Sequence, residues 1–330
     1  MENGKHLRGL PLILGALFVV LSACSVPGLS QETIPAGATT SAPCAPVTPD
    51  FIGSRTLDFE QADGSTRIAQ VHIPAQLDPK EPVPVVLAFH GYGGRSAQVV
   101  EMMKLDELAK ESGVVVVAPQ GQISEFDKAG WGLMPEHFAS DALFVDQVLT
   151  EVNDLVCVDR HRVFAMGYSN GSVFAQKYAC RKESSIVAVA SVAGTVIAKE
   201  CPGGPIPLIY FHGTEDEVVP FGGAETKIGW LDGVEESLLA WARLNGCDGG
   251  EQTDSFESEV VRQQWDNCPE GAEVWSYVTI DGGHRWPGGL HEEWNPAHGT
   301  VETTLDATTR SWRFFERAAQ ASEQAERPSR

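Results

Sequence analysis

Gly167-Tyr168-Ser169-Asn170-Gly171 lies between an apolar run of strand character that ends at Gly167 and helix-like sequence over 173–179. Gly-x-Ser-x-Gly on a strand-to-helix turn lifts a serine hydroxyl to the tip of a sharp bend, where a nucleophile has to stand. Both glycines have a physical reason, because bulk two residues to either side would collide with the adjoining strand and helix. A hydroxyl attacks poorly until a base takes its proton, and that base needs a partner to fix its tautomer. Two loops downstream offer such groups. The apolar run 207–211 delivers His212-Gly213-Thr214-Glu215-Asp216-Glu217, and the run 273–280 delivers Asp281-Gly282-Gly283-His284-Arg285-Trp286-Pro287. The spacing points to Ser169 as nucleophile, His284 as base and Asp216 as the acid that orients it. Glu215, Glu217 and Asp281 compete with Asp216, while His90, His212, His291 and His298 compete with His284. Placement after the final strand, between Gly282-Gly283 and Trp286-Pro287, favours His284; His90 and His212 read as structural residues at strand ends.

An acyl-transfer reaction also needs donors for the oxyanion that develops on the carbonyl. The backbone N–H of Asn170, next after the serine, is one candidate. The second is the N–H of Tyr92 in His90-Gly91-Tyr92-Gly93-Gly94, which follows a long buried strand. Trp131, Tyr168 and Trp286, with Tyr92, are candidates for an aromatic cleft that binds an aryl acyl group, although aromatic residues serve equally well as core. Nothing in the motifs calls for a metal or an organic cofactor.

These groups need a scaffold that holds strand ends side by side. Residues 55–60 and 66–73 alternate polar and apolar around Ala62-Asp63-Gly64 and predict an antiparallel hairpin. Nearly continuous apolar runs at 83–89, 114–118, 186–192 and 207–211 predict strands buried on both faces. Helical spacing is expected from Ser96 to the stop at Gly113, over 141–155, after the serine turn to about 181, and over 235–244. A last helix is expected from a cap at Asp306, with Trp312, Phe315 and Ala319 on one face. Residues 120–140 read as a loop. Strands alternating with helices predict an α/β fold with a mostly parallel, doubly wound sheet and an N-terminal antiparallel edge hairpin. One domain is expected over 51–320, with a disordered tail at 321–330.

The chain has 330 residues, 42% of them hydrophobic, and a formal net charge of −21. That charge repels phosphate and so argues against nucleic acid or an anionic membrane surface as a partner. Lys5 and Arg8 precede an apolar stretch, 10–21, too short to span a bilayer. It ends in Leu21-Ser22-Ala23-Cys24, which resembles the lipobox of bacterial lipoproteins. The expectation is a signal peptide over 1–23, lipidation of Cys24, and a flexible tether over 24–50 rich in Ser, Thr, Pro, Ala and Gly. The protein is then exported to the cell envelope or beyond and touches a membrane only through that anchor. Seven cysteines less Cys24 leave six, Cys44, Cys157, Cys180, Cys201, Cys247 and Cys268, an even number suited to disulfides outside the cytoplasm. The sequence-local pairs Cys180–Cys201 and Cys247–Cys268 are expected, leaving Cys44 for Cys157.

From the run at 83–89 to the last helix, the chain resembles extracellular poly(3-hydroxybutyrate) depolymerases and feruloyl esterases, including their lipoprotein members. The resemblance rests on Gly-Tyr-Ser-Asn-Gly, on His-Gly-Thr-x-Asp-x-x-Val-Pro from His212 to Pro220, and on Gly-Gly-His-x-Trp-Pro-Gly from Gly282 to Gly288. Trp241-Ala242-Arg243-Leu244-Asn245-Gly246-Cys247 and Asp306 add to it. It implies the α/β-hydrolase fold, whose nucleophile, acid and base occur in the order found here, and a triad of Ser169, Asp216 and His284 acting on carboxylic esters. Glu217 departs from the smaller or neutral residue expected there, and Ser172 stands where a third glycine is common. No second domain follows a linker, so soluble esters or short oligomers are expected as substrates rather than crystalline polyester. An acyltransferase with the same triad is the alternative activity, and a non-catalytic binding protein the alternative role.

Overall fold

The computed structural model describes residues 51–326 apart from 79–80, 124–126, 196–199, 227–228, 250, 258, 291–297 and 301–303. The expected signal peptide, Cys24, the tether, Cys44 and the rival His291 lie outside the described residues. In chain order the strands are β1 (Gly53–Glu60), β2 (Thr66–Ile73), β3 (Val83–Phe89), β4 (Val115–Pro119), β5 (Val158–Tyr168), β6 (Ala188–Val192) and β7 (Leu208–Gly213). They continue with β8 (Ala224–Thr226), β9 (Gly229–Leu231), β10 (Glu251–Glu257), β11 (Val260–Trp265) and β12 (Val274–Thr279). The helices are α1 (Ser96–Met102), α2 (Leu105–Ser112), α3 (Pro135–Leu155), α4 (Asn170–Ala179), α5 (Val234–Leu244) and α6 (Ala307–Glu326).

Ten strands form one sheet in the order β1-β2-β4-β3-β5-β6-β7-β12-β11-β10. The central run from β4 to β12 is parallel. Its strands are apolar on both faces because helices cover both. In β3 the pleat sorts them: Val85, Leu87 and Phe89 lie in the layer that holds Phe144 and Val148 of α3, Phe174 of α4 and, farther along, Trp241 of α5. Val86 and Ala88 face the opposite layer, with Val99 of α1, Leu108 of α2 and Phe315 of α6. This is the α/β-hydrolase arrangement. The antiparallel β1–β2 hairpin borders it as expected, with Glu60 opposite Thr66.

Four details differ from the sequence reading. The single helix expected from Ser96 to Gly113 is two, broken at Lys104, which takes φ 52°. The carbonyls of Met102 and Met103 at the break accept Leu290 N–H and the Thr308 hydroxyl, so the C-terminal region consumes acceptors that a continuous helix would use. Helix α3 starts at Pro135, not 141, with proline at its first position, where the missing N–H costs nothing. Helix α6 runs on to Glu326, past the expected end at 320. Finally, β10 and β11 add a second antiparallel hairpin at the far edge. The Asp306 cap is present: its Oδ1 accepts Thr309 N–H at 2.7 Å.

Candidate active site

The residues singled out by their chemistry converge at the carboxyl ends of β5, β7 and β12, where an open parallel sheet gathers its loops. Ser169 follows β5 directly and holds φ 53°, ψ −121°, a strained conformation for a residue with a side chain. Its neighbours make the bend possible. A Cβ on Gly167 would lie 2.3 Å from Gly171 O, and one on Gly171 would lie 2.3 Å from Phe89 O. Ser169 N–H is held by Val192 O of β6 at 2.8 Å, which pins the turn to the sheet.

Ser169 Oγ lies 2.9 Å from His284 Nε2, and His284 Nδ1 lies 2.7 Å from Asp216 Oδ2. A carboxylate only accepts, so Nδ1 carries the proton and Nε2 is left to accept from the serine. Asp216 Oδ1 accepts the N–H groups of Val218 and Val219 at 2.9 and 2.8 Å. Burial pushes the Asp216 carboxyl up. The hydrogen bond and charge of His284, with that of His212, outweigh burial and hold it below the ordinary carboxylate range. The two loops are sewn together: Asp281 N–H donates to Thr214 Oγ1 and Glu215 N–H to Gly282 O, both at 2.9 Å. Competing carboxylates Glu215, Glu217 and Asp281 are exposed, whereas Asp216 is buried.

Among the described competitors, His90 and His212 are held by partners of their own. His90 Nδ1 donates to Gly91 O at 2.8 Å, and its Nε2 accepts from Gly121 N–H and Gln120 Nε2 at 2.9 Å each. Burial lowers its pKa to about 4, so it is neutral at pH 7. His212 lies beneath Asp216, with Nε2 2.8 Å from Val219 O. His298 stands edge-on to His284, with ring centroids 5.3 Å apart.

The oxyanion candidates border the serine. A Cβ on Gly91 would lie 3.3 Å from Ser169 Cβ, which puts the Tyr92 peptide alongside. Asn170 opens α4, where first-turn N–H groups have no acceptor within the helix and the dipole favours negative charge. Its side chain is committed to the neighbouring loop, accepting Trp131 N–H at 2.7 Å and donating to Trp131 O at 3.0 Å. That loop is anchored in turn by Asp141, whose Oδ2 accepts Gly132 N–H and whose Oδ1 is 2.7 Å from the buried guanidinium of Arg67.

The aromatic cleft is corrected by burial. Trp131 is wholly buried, stacked on Phe174 and donating Nε1–H to His90 O at 3.0 Å. Trp286 is equally buried, with Nε1–H on Thr308 Oγ1. Neither ring can meet a substrate; both are core, drawn inward by their area and by a partner for each indole N–H. Tyr168 is half-buried and donates its hydroxyl proton to His284 O at 2.7 Å, its ring 5.1 Å from the imidazole. It holds the histidine loop rather than lining a cleft. Tyr92 is exposed. Sequence reasoning missed this Tyr168 contact, the Arg67–Asp141 pair and the Asn170 tie, none of which leaves a local pattern.

Cys180–Cys201 and Cys247–Cys268 are bonded as expected. Cys157 is disulfide-bonded too, and its expected partner Cys44 is outside the described residues.

No protein-family model matches the chain. It is similar to "Putative esterase NocK" of Nocardia uniformis subsp. tsuyamanensis, 26% identical across 83% of this chain and 89% of that one. Feruloyl esterase C of Emericella nidulans is 28% identical over 64% of this chain and 74% of its own. Among solved structures, an acetyl xylan esterase from Aspergillus awamori superposes with a TM-score of 0.56 at 13% identity, covering 79% of this chain and 99% of that one. That last likeness speaks for the fold. The chain is therefore an α/β-hydrolase-fold homologue of proteins named feruloyl esterase and esterase.

Proposed function

We propose that the protein is an exported serine esterase that cleaves carboxylic esters through an acyl-enzyme on Ser169. The observation that carries this reading is the unbroken line of hydrogen-bond distances from Ser169 Oγ through His284 to Asp216 on a strained turn. His284 Nε2 takes the hydroxyl proton as Oγ attacks the acyl carbon. The tetrahedral oxyanion is met by the N–H groups of Asn170 and Tyr92, and His284 passes its proton to the leaving alcohol. Water then repeats the sequence on the acyl-enzyme. Asp216 stays ionised and holds the imidazolium.

Relatives named feruloyl esterase support an aryl acyl substrate, with short hydroxyalkanoate oligoesters as the other class. Trp131 and Trp286 are core, so that preference rests on the relatives. Release of acid from methyl ferulate and from p-nitrophenyl acetate and butyrate, by wild type and Ser169→Ala, tests the proposal. Wild type should turn over with an acyl preference, and Ser169→Ala should lose on the order of 10⁶-fold in kcat. Undiminished turnover in Ser169→Ala would remove the nucleophile. Product transfer to an added alcohol in place of water would move the reading to an acyltransferase.

A further inference from the structure

Beneath the Asp216 carboxylate lies a second histidine that the reaction as written does not use. His212 is the last but one residue of β7, and its side chain is fully buried, as is that of Asp216. Its Nε2 faces two acceptors, Val219 O at 2.8 Å and Asp216 Oδ2 at 3.4 Å. Neither can donate, so Nε2 must carry the proton. Its Nδ1, then bare, lies 2.9 Å from the hydroxyl of Tyr210, which is wholly buried, also faces Gly194 O and has one proton for the two acceptors. A Cβ on Gly194 would sit 2.7 Å from Ser169 O, so this buried chain runs back to the serine turn.

We infer that His212 is a positioning residue for the triad, acting on both oxygens of Asp216. Its bond to Val219 O closes the turn whose N–H groups hold Oδ1. Its Nε2–H also faces Oδ2, the oxygen that His284 Nδ1 uses, and so draws off part of the charge that His284 feels. The consequence has a sign. A carboxylate stripped of that N–H attracts protons onto His284 more strongly, so the base deprotonates at higher pH. The groups that share this environment are Ser169 and Tyr168 of the serine turn, Tyr210 of β7, Glu215 and Glu217 of the acid loop, and Arg285 and His298 beside His284.

The inference rests on the proposed triad, and its test separates the two. In His212→Leu, kcat should fall by about 10- to 100-fold, the scale of an ångström-sized misplacement, with KM nearly unmoved. The acid limb of kcat/KM should move to higher pH. His212→Gln, which can return an N–H near the Nε2 position, should recover most of kcat and restore the limb. Wild-type kcat and pH profile in folded His212→Leu would overturn the inference. So would equal losses in both variants with no movement of the limb, the signature of packing alone. Imidazole ¹⁵N NMR reads the same point without turnover: His212 must be protonated at Nε2, and the His284 Nδ1–H resonance must move in His212→Leu. A wild type with Nε2 bare, or an unmoved His284 resonance, overturns it as well. Labelling of Ser169 by a fluorophosphonate tells the failures apart. An unlabelled wild type sinks the esterase reading, whereas a labelled enzyme indifferent to His212 sinks only this one.

Discussion

Ser172 stands where a third glycine is common in the resembling family, and its hydroxyl has a use here. Buried entirely, it lies 2.6 Å from Ser191 Oγ of β6, which also accepts Gln176 Nε2–H at 2.7 Å. The extra atoms are accommodated from the other side, since a Cβ on Gly194 would sit 2.4 Å from Ser172 Oγ. At the acid, chemistry rather than volume decides. Asp216→Asn keeps an oxygen for Val218 and Val219 but turns an N–H toward His284 Nδ1, which forces the imidazole into the wrong tautomer. A fall in kcat of about 10³- to 10⁴-fold with little change in Tm is expected. Steady-state kinetics beside a thermal melt checks it; a loss under tenfold would mean that Asp216 does not orient the base.

The loop between β3 and α1 and the one that follows β4 are tied by neutral His90, which donates to Gly91 O and accepts from Gly121 and Gln120. Its folded pKa of about 4 lies below the ordinary 6.5, so the unfolded chain binds the proton more readily. The stability this contributes is full above pH 6.5 and drains away as pH falls toward 4, by on the order of 3 kcal/mol. Buried His212, also depressed by burial, adds in the same direction. Urea titrations at pH 7 and pH 5 should show a smaller difference in His90→Gln than in wild type; equal differences would assign the acid lability elsewhere. The sequence made β3, β5, β6 and β7 legible because strands covered on both faces must be apolar throughout. The meeting of Ser169, Asp216 and His284 at one end of the sheet was legible because each falls in a loop just after a strand. Strands β10 and β11 were not: Glu251 to Ser255 are exposed, so no core face imposed an alternation on β10, and β11 buries Val260, Gln263 and Trp265, whose spacing breaks the period of two. Nor could spacing alone show the break at Lys104, which depends on acceptors claimed from nearly 200 residues away, or the inward turn of Trp131 and Trp286.

Among the described residues, two disulfides with both ends placed span separations of 21 residues each. Cys180–Cys201 ties the end of α4 to the approach to β7, and Cys247–Cys268 ties the end of α5 to the segment after β11. Loops of that length lose entropy worth about 3 kcal/mol per bond when closed in the unfolded chain. Calorimetry with and without a phosphine reductant under denaturing pre-treatment should therefore show a drop in Tm of several degrees; an unchanged Tm would mean that the core alone sets stability. The sheet that these staples brace ends in antiparallel hairpins on both sides, and its outermost strands are acidic. Strand β1 shows Asp58 and Glu60 to solvent, and β10 shows Glu251 and Asp254, the latter paired with Arg262 of β11. An unpaired edge is a template on which a second molecule can add its own strand. Here each edge meets its copy with like charge, in a chain already at −21. Strand-to-strand stacking starts against repulsion, so a concentrated solution of the protein resists fibre growth at neutral pH and loses that protection as its carboxylates are neutralised.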